Sequence, residues 1–296
     1  MCLGFALGLV AGRVVAAEAH RVQPKATVDD PRFSIHCQVL RDGAFLAYYV
    51  RPGLGPTLVL VPETNGDRSQ YYEPRFMDAL DPGFAVVVVE LRGQGRSWPP
   101  PVPGMASIEQ YASDVMEVVQ ALHPPRWYVS GHSLGGMISI EIAGRRPPGL
   151  CGIISLEGWA HHRVQKLAFP EMKERTGEEK AEARRQRVER YRSQRWTDEE
   201  RDFALGKVWI TWERGEKILR ETDYPLLSVW GDRGMPQRPG RDKLLLPDKP
   251  NIEVAWITGS DHYITDPAYA PGVVALLNAF VSRVEKRGVS APVPGW

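Results

Sequence analysis

The sequence predicts an α/β fold: a doubly wound, mostly parallel eight-stranded sheet with a helical segment inserted after its sixth strand. Three observations carry this. Short β-branched runs alternate with longer stretches of helical period, as in a sheet covered by helices on both faces. An apolar run over 127–130 climbs into Gly131-His132-Ser133-Leu134-Gly135, and a helical pattern starts immediately afterwards. Between Trp159 and Asp223 no strand is evident, and the composition turns to Glu, Lys and Arg.

The elements follow in order. Residues 33–39 and 43–50 read as a hairpin, with Arg41-Asp42-Gly43 as the turn. Thr57–Val61 and 84–89 are continuous apolar runs, as expected of strands buried on both sides. Ser107-Ile108-Glu109-Gln110 is a capping box. Ile108, Tyr111, Val115, Val119 and Leu122 then recur at helical spacing until Pro124-Pro125 stops the helix. A helix over 134–146 ends at Pro147-Pro148-Gly149, and 151–156, 226–230 and Ile252–Ile257 are further strands. Val273, Leu277, Phe280 and Val284 mark a final amphipathic helix. In such a sheet the site lies at the carboxyl ends of the strands.

The chain divides into a leader or signal segment over 1–30, a core formed by 31–158 and 223–296, and a helical cap over 159–222. The charged run 171–195 reads as a solvated helix face, and Thr197-Asp198-Glu199-Glu200 as a second capping box. Trp209 and Trp212 serve either the core of the cap or the roof of an apolar pocket.

A chain of 296 residues with 25% charged residues and a net charge of +1 offers no nucleic-acid surface. Cys37 and Cys151 lie in strand-like runs and read as buried thiols, with a disulfide as the alternative that spacing leaves open, and no cysteine-histidine cluster has zinc spacing. No metal, nucleotide or flavin site is visible, and no cofactor is expected. Residues 1–19 contain an apolar stretch and a small-x-small site at Ala17-Glu18-Ala19. They lack a basic start, and Arg13 interrupts them, so export and a cytoplasmic leader both stay open. The segment is too short and interrupted for a stable membrane span.

Gly-x-Ser-x-Gly between strand and helix suits a nucleophile for a physical reason. The turn is tight enough to need small neighbours at Gly131 and Gly135, it pushes Oγ outward, and the helix N-terminus offers a backbone N–H to an oxyanion. A serine hydroxyl then needs a base. His262 follows the eighth strand and precedes the last helix. His132 lies inside the turn and would point away from Oγ, His161 and His162 open the cap, and His20, His36 and His123 have ordinary strand or surface readings.

The segment around Ser133 resembles the nucleophile elbow of the α/β-hydrolase fold. Glu90-Leu91-Arg92-Gly93-Gln94-Gly95-Arg96-Ser97 resembles the loop after that family's fourth strand, and Gly259-Ser260-Asp261-His262-Tyr263 resembles its histidine loop. The resemblance covers roughly 33–160 and 222–286. It implies Ser133 as nucleophile, His262 as general base, and N–H groups of Thr64 and Leu134 as the oxyanion hole. Two departures stand out. The family carries Gly-x-x-Asp after the seventh strand, and here Gly234 holds the acid's place. Asp232 lies two residues too early. Glu157, directly after the sixth strand, is where some relatives carry the acid, and this reading favours it over Asp232. Glu63 stands where many relatives have glycine, with Arg92 or Arg68 as a prospective ion-pair partner.

The resemblance implies a serine hydrolase acting on a small-molecule carboxylic ester through an acyl-enzyme. Carbon–carbon bond hydrolysis, lactonase and aminopeptidase activity use the same parts, and a non-catalytic ligand-binding protein is the rival from another class. His132, Trp159, His161, Trp209 and Trp212 are the candidate pocket residues.

Overall fold

The computed structural model describes residues 30–64, 69–72, 74–98, 107–168, 178 and 212–288. Residues 1–29 of the leader, the charged run 171–195 apart from Glu178, the second capping box, Arg68 and Trp209 lie outside the described residues. Eight strands form one sheet in the order β1-β2-β4-β3-β5-β6-β7-β8. They are β1 Ser34–Val39, β2 Phe45–Arg51, β3 Thr57–Val61, β4 Ala85–Val89, β5 Trp127–His132, β6 Leu150–Leu156, β7 Leu226–Gly231 and β8 Ile252–Ile257. β1 pairs antiparallel with β2, and β2 antiparallel with β4, while every pair from β4 to β8 is parallel.

The helices are α1 Ser69–Tyr72, α2 Pro74–Met77, α3 Ile108–Leu122, α4 Leu134–Gly144, α5 Gln165–Ala168, α6 Arg214–Glu221 and α7 Ala270–Lys286, with a 3-10 turn at His162–Val164. The strand runs explain how they are layered. Side chains alternate across a sheet, so Val59, Val61, Val87 and Val89 meet α3 and α4 on one face. Leu58, Leu60, Val86 and Val88 meet α1, α2 and α7 on the other. Strands apolar at every position are therefore what this doubly wound sheet requires.

Local signals act as expected, with two exceptions. Ser107 Oγ accepts from the Gln110 N–H at 3.0 Å, and His123 closes α3 in the left-handed region at φ 48°. The Gln110 side-chain amide, however, donates to Asp114 Oδ1 at 2.8 Å instead of completing a reciprocal box. Cys37 is the second exception. It is exposed, because β1 is the outermost strand, where Ile35 is likewise 47% exposed. Cys151 is buried, and both thiols are free.

Between β6 and β7 the described pieces are 157–168, Glu178 and 212–225. Among the described residues, no helix is long and apolar enough to cross a membrane.

Candidate active site

β5 ends at His132 and α4 begins at Leu134, which leaves Ser133 alone on the turn. Its backbone sits at φ 52°, ψ −113°, a strained conformation for any residue but glycine. A Cβ on Gly131 would stand 2.1 Å from the Gly135 carbonyl carbon, and one on Gly135 would stand 2.2 Å from the Val61 oxygen. Both glycines are thus imposed by close approach. The Ser133 N–H donates to the Leu156 carbonyl at 2.8 Å, tying the turn to the end of β6. Leu134, as the first residue of α4, has an N–H with no acceptor inside the helix.

The end of β6 carries Glu157, fully buried and itself left-handed at φ 50°. Its Oε2 lies 3.2 Å from His262 Nδ1. Oε1 accepts from the Gly231 N–H at 2.6 Å. Arg233 completes the setting, with Nη1 donating to Oε1 at 3.1 Å and Nη2 to Oε2 at 2.7 Å. A buried carboxylate is tolerated when it is paired and fully hydrogen-bonded, and Glu157 is both. Arg233 carries almost no sequence signal. Its only trace is the missing acid at Gly234, which leaves the β7 loop to supply a cation instead.

Asp232 faces elsewhere. Oδ1 accepts from the N–H groups of Gly259 at 2.7 Å and Gly234 at 3.0 Å, and Oδ2 from Arg238 at 3.0 Å. The Gly259 and Gly234 N–H groups hold its carboxyl below the ordinary value. Asp232 braces the loops after β7 and β8.

On the other side of Ser133, β3 runs out through Glu63 and Thr64. The Glu63 N–H is taken by Gln70 Oε1 at 2.9 Å, and its carboxylate Oε2 lies 3.3 Å from His132 Nδ1. The proposed pairing of Glu63 with Arg92 does not form. Arg92 is buried and committed to Asp114 through Nε (2.8 Å) and Nη2 (2.7 Å), and to Asp42 through Nη1 (2.7 Å). His132 is fully buried, and its ring centroid lies 5.0 Å from that of His262.

Trp159 is buried with its ring centroid 6.3 Å from that of His262. His161 is buried at the start of the 3-10 turn, where Nδ1 accepts from the Arg163 N–H at 3.2 Å. Trp212 is buried within the apolar layer beside α3 and α4, and its carbonyl accepts from the His162 N–H at 3.1 Å. Among the described residues, two groups of donor atoms lie within 4.8 Å of one another, Glu63-His132-His262 and His161-His162-Glu213. The first is spent on hydrogen bonds: His132 contacts Gln70 and the His262 carbonyl, and His262 contacts Glu157. In the second, His161 Nδ1 accepts from the Arg163 N–H, and the exposed Glu213 carboxylate lies 3.4 Å from His162 Nδ1.

Residues 56–187 match the sequence profile described as alpha/beta hydrolase fold. The chain has the α/β-hydrolase fold. It is 34% identical over 105 residues to "Putative carbamate hydrolase RutD" of Agrobacterium fabrum. That match covers 36% of this chain and 39% of the relative. Among solved structures, the enol-lactonase from Burkholderia xenovorans LB400 aligns with a TM-score of 0.62 at 18% identity, over 83% of this chain and 100% of that one. A carboxylesterase structure from Nitrososphaera gargenis gives a TM-score of 0.62 at 18% identity, over 86% and 100%. At such identities these two likenesses show the hydrolase fold and nothing finer.

Proposed function

We propose that this α/β-hydrolase is a serine hydrolase that cleaves a carboxylic ester of a small molecule through an acyl-enzyme. The observation that carries the reading is the 3.2 Å contact between His262 Nδ1 and Glu157, at the same sheet end as the strained Ser133 turn. In this reading Ser133 Oγ attacks the carbonyl carbon and His262 Nε2 takes the Oγ proton. Glu157 holds the imidazole and stabilises its cation. The N–H groups of Thr64 and Leu134 receive the oxyanion, after which His262 returns the proton to the leaving alkoxide. Water, activated by the same histidine, then releases the acid.

The segment between β6 and β7 is the proposed cap, with Trp159, His161 and Trp212 at its described ends. A carbamate is the second substrate class to consider, because it presents the same acyl carbon and the 34% identical relative bears that name. The experiment is labelling by a fluorophosphonate, followed by a panel of aryl and alkyl esters, lactones and a carbamate. Ser133→Ala should abolish labelling and turnover while the protein stays folded. A wild-type protein that neither labels nor turns over any ester removes the proposal and favours the ligand-binding alternative.

A further inference from the structure

The residue before the nucleophile makes a connection that the triad does not use. His132 Nε2 lies 2.7 Å from the backbone carbonyl of His262, and Nδ1 lies 2.7 Å from Gln70 Nε2. Partner chemistry settles the protons. A carbonyl oxygen only accepts, so His132 Nε2 carries a hydrogen. The Glu63 N–H donates to Gln70 Oε1, so the other end of that amide is its NH2 group, which donates to His132 Nδ1 and reaches Thr265 Oγ1 at 3.3 Å. His132 is therefore neutral, in the Nε2–H tautomer. Burial keeps it there by pushing its pKa below the ordinary histidine value.

One group competes with this arrangement. The Glu63 carboxylate, an acceptor only, flanks Nδ1 at 3.3 Å. Without the Gln70 donor, the ring proton gains a better partner at Nδ1. The bare Nε2 would then face the His262 carbonyl oxygen, and an attraction would become a repulsion.

We propose that Gln70 and His132 are positioning residues: Gln70 selects the His132 tautomer, and that tautomer pins the backbone of His262 to the nucleophile elbow. This rests on Ser133 and His262 acting as nucleophile and base. Glu157 holds the His262 ring at Nδ1, and His132 holds its backbone at the carbonyl. Because His132 and Ser133 are consecutive, the nucleophile and its base are fixed to each other through one side chain. Misplacement of reacting groups by about 1 Å costs on the order of 10²-fold in rate.

The test uses the full chain with 15N-labelled histidine. Long-range 1H–15N correlation should show His132 as the Nε2–H tautomer, and Gln70→Met should shift it toward Nδ1–H. The same variant should lose about 10–100-fold in kcat on p-nitrophenyl acetate, with KM changed much less. His132→Gln retains an N–H donor and should recover activity over His132→Ala, with thermal unfolding confirming that each variant is folded. Wild-type protein with the Nε2–H tautomer that takes no fluorophosphonate overturns the hydrolase reading, and with it the catalytic purpose of the link. A labelled protein whose Gln70→Met variant keeps wild-type kcat overturns the positioning role alone, as does a wild-type His132 found as Nδ1–H.

Discussion

Arg233 grips both carboxylate oxygens of Glu157, so the acid at the end of β6 is clamped by the loop after β7. Their side chains are 10% and 0% exposed. The clamp also donates to the Gly231 carbonyl at 2.6 Å, which fixes the guanidinium on its own strand. A carboxylate buried at this strand end needs a counter-charge, and the loop after β7 provides it.

Removal of one partner from a buried pair leaves an uncompensated charge, which costs about 3–5 kcal/mol. Arg233→Met is expected to lose stability on that order in urea unfolding, and to lose turnover because Glu157 is freed from one side. Arg233→Lys should recover only part of either, since a point charge cannot span two oxygens. An Arg233→Met protein as stable and active as wild type would mean the clamp is incidental.

Glu157→Gln keeps the volume of the side chain and removes the charge that stabilises an imidazolium. By analogy with the serine-protease aspartate, kcat on an aryl ester should fall on the order of 10³–10⁴-fold. Asp232→Asn should cost far less, because its oxygens are spent on the Gly259 and Gly234 N–H groups and on Arg238. The reverse ranking would return the acid's role to the β7 loop.

The parts legible in the sequence are those set by short-range pattern. The inner strands announce themselves as apolar runs, and the Ser133 turn by its glycines, because backbone geometry there leaves no other residue. What the sequence hides is the partner chosen across the fold. Arg92 looked available to Glu63, but Asp114 sits 22 residues further on, on the buried face of α3, and takes it in a bidentate pair. Arg233 and Gln70 carry no pattern at all, since a cation in a loop and an amide in a four-residue helix resemble solvated surface.

The Arg92 pair supports its own expectation. Asp114 is buried and Asp42 half-exposed, so Arg92→Met strands Asp114 in the apolar layer beside α3. The loss should be about 3–5 kcal/mol, and Arg92→Met/Asp114→Leu together should regain most of it. A double variant no more stable than the single one would show that Asp42 is the partner that matters.

Acid stability tests the state of His132. Burial lowers its pKa most; Glu63, the hydrogen bond to the His262 carbonyl and Glu157 oppose that shift, while the charge of the His262 ring adds to it. The unfolded chain binds a proton on this ring below the ordinary value of 6.5, and the native protein does not until a lower pH. The contribution of His132 is therefore fully present above 6.5 and is lost as the pH falls below it. Glu141 works in the opposite sense, because burial raises its carboxyl above 4.5, so that its native form takes up a proton first and gains stability on acidification. Comparison of wild type with His132→Gln cancels Glu141, which both proteins share. The variant should be less stable at about pH 8, where it keeps only part of the native hydrogen bonding, and the gap should narrow steadily toward about pH 5. Unfolding midpoints in urea at several pH values read this directly. A gap that stays constant over that range would show that His132 does not titrate as a buried neutral ring.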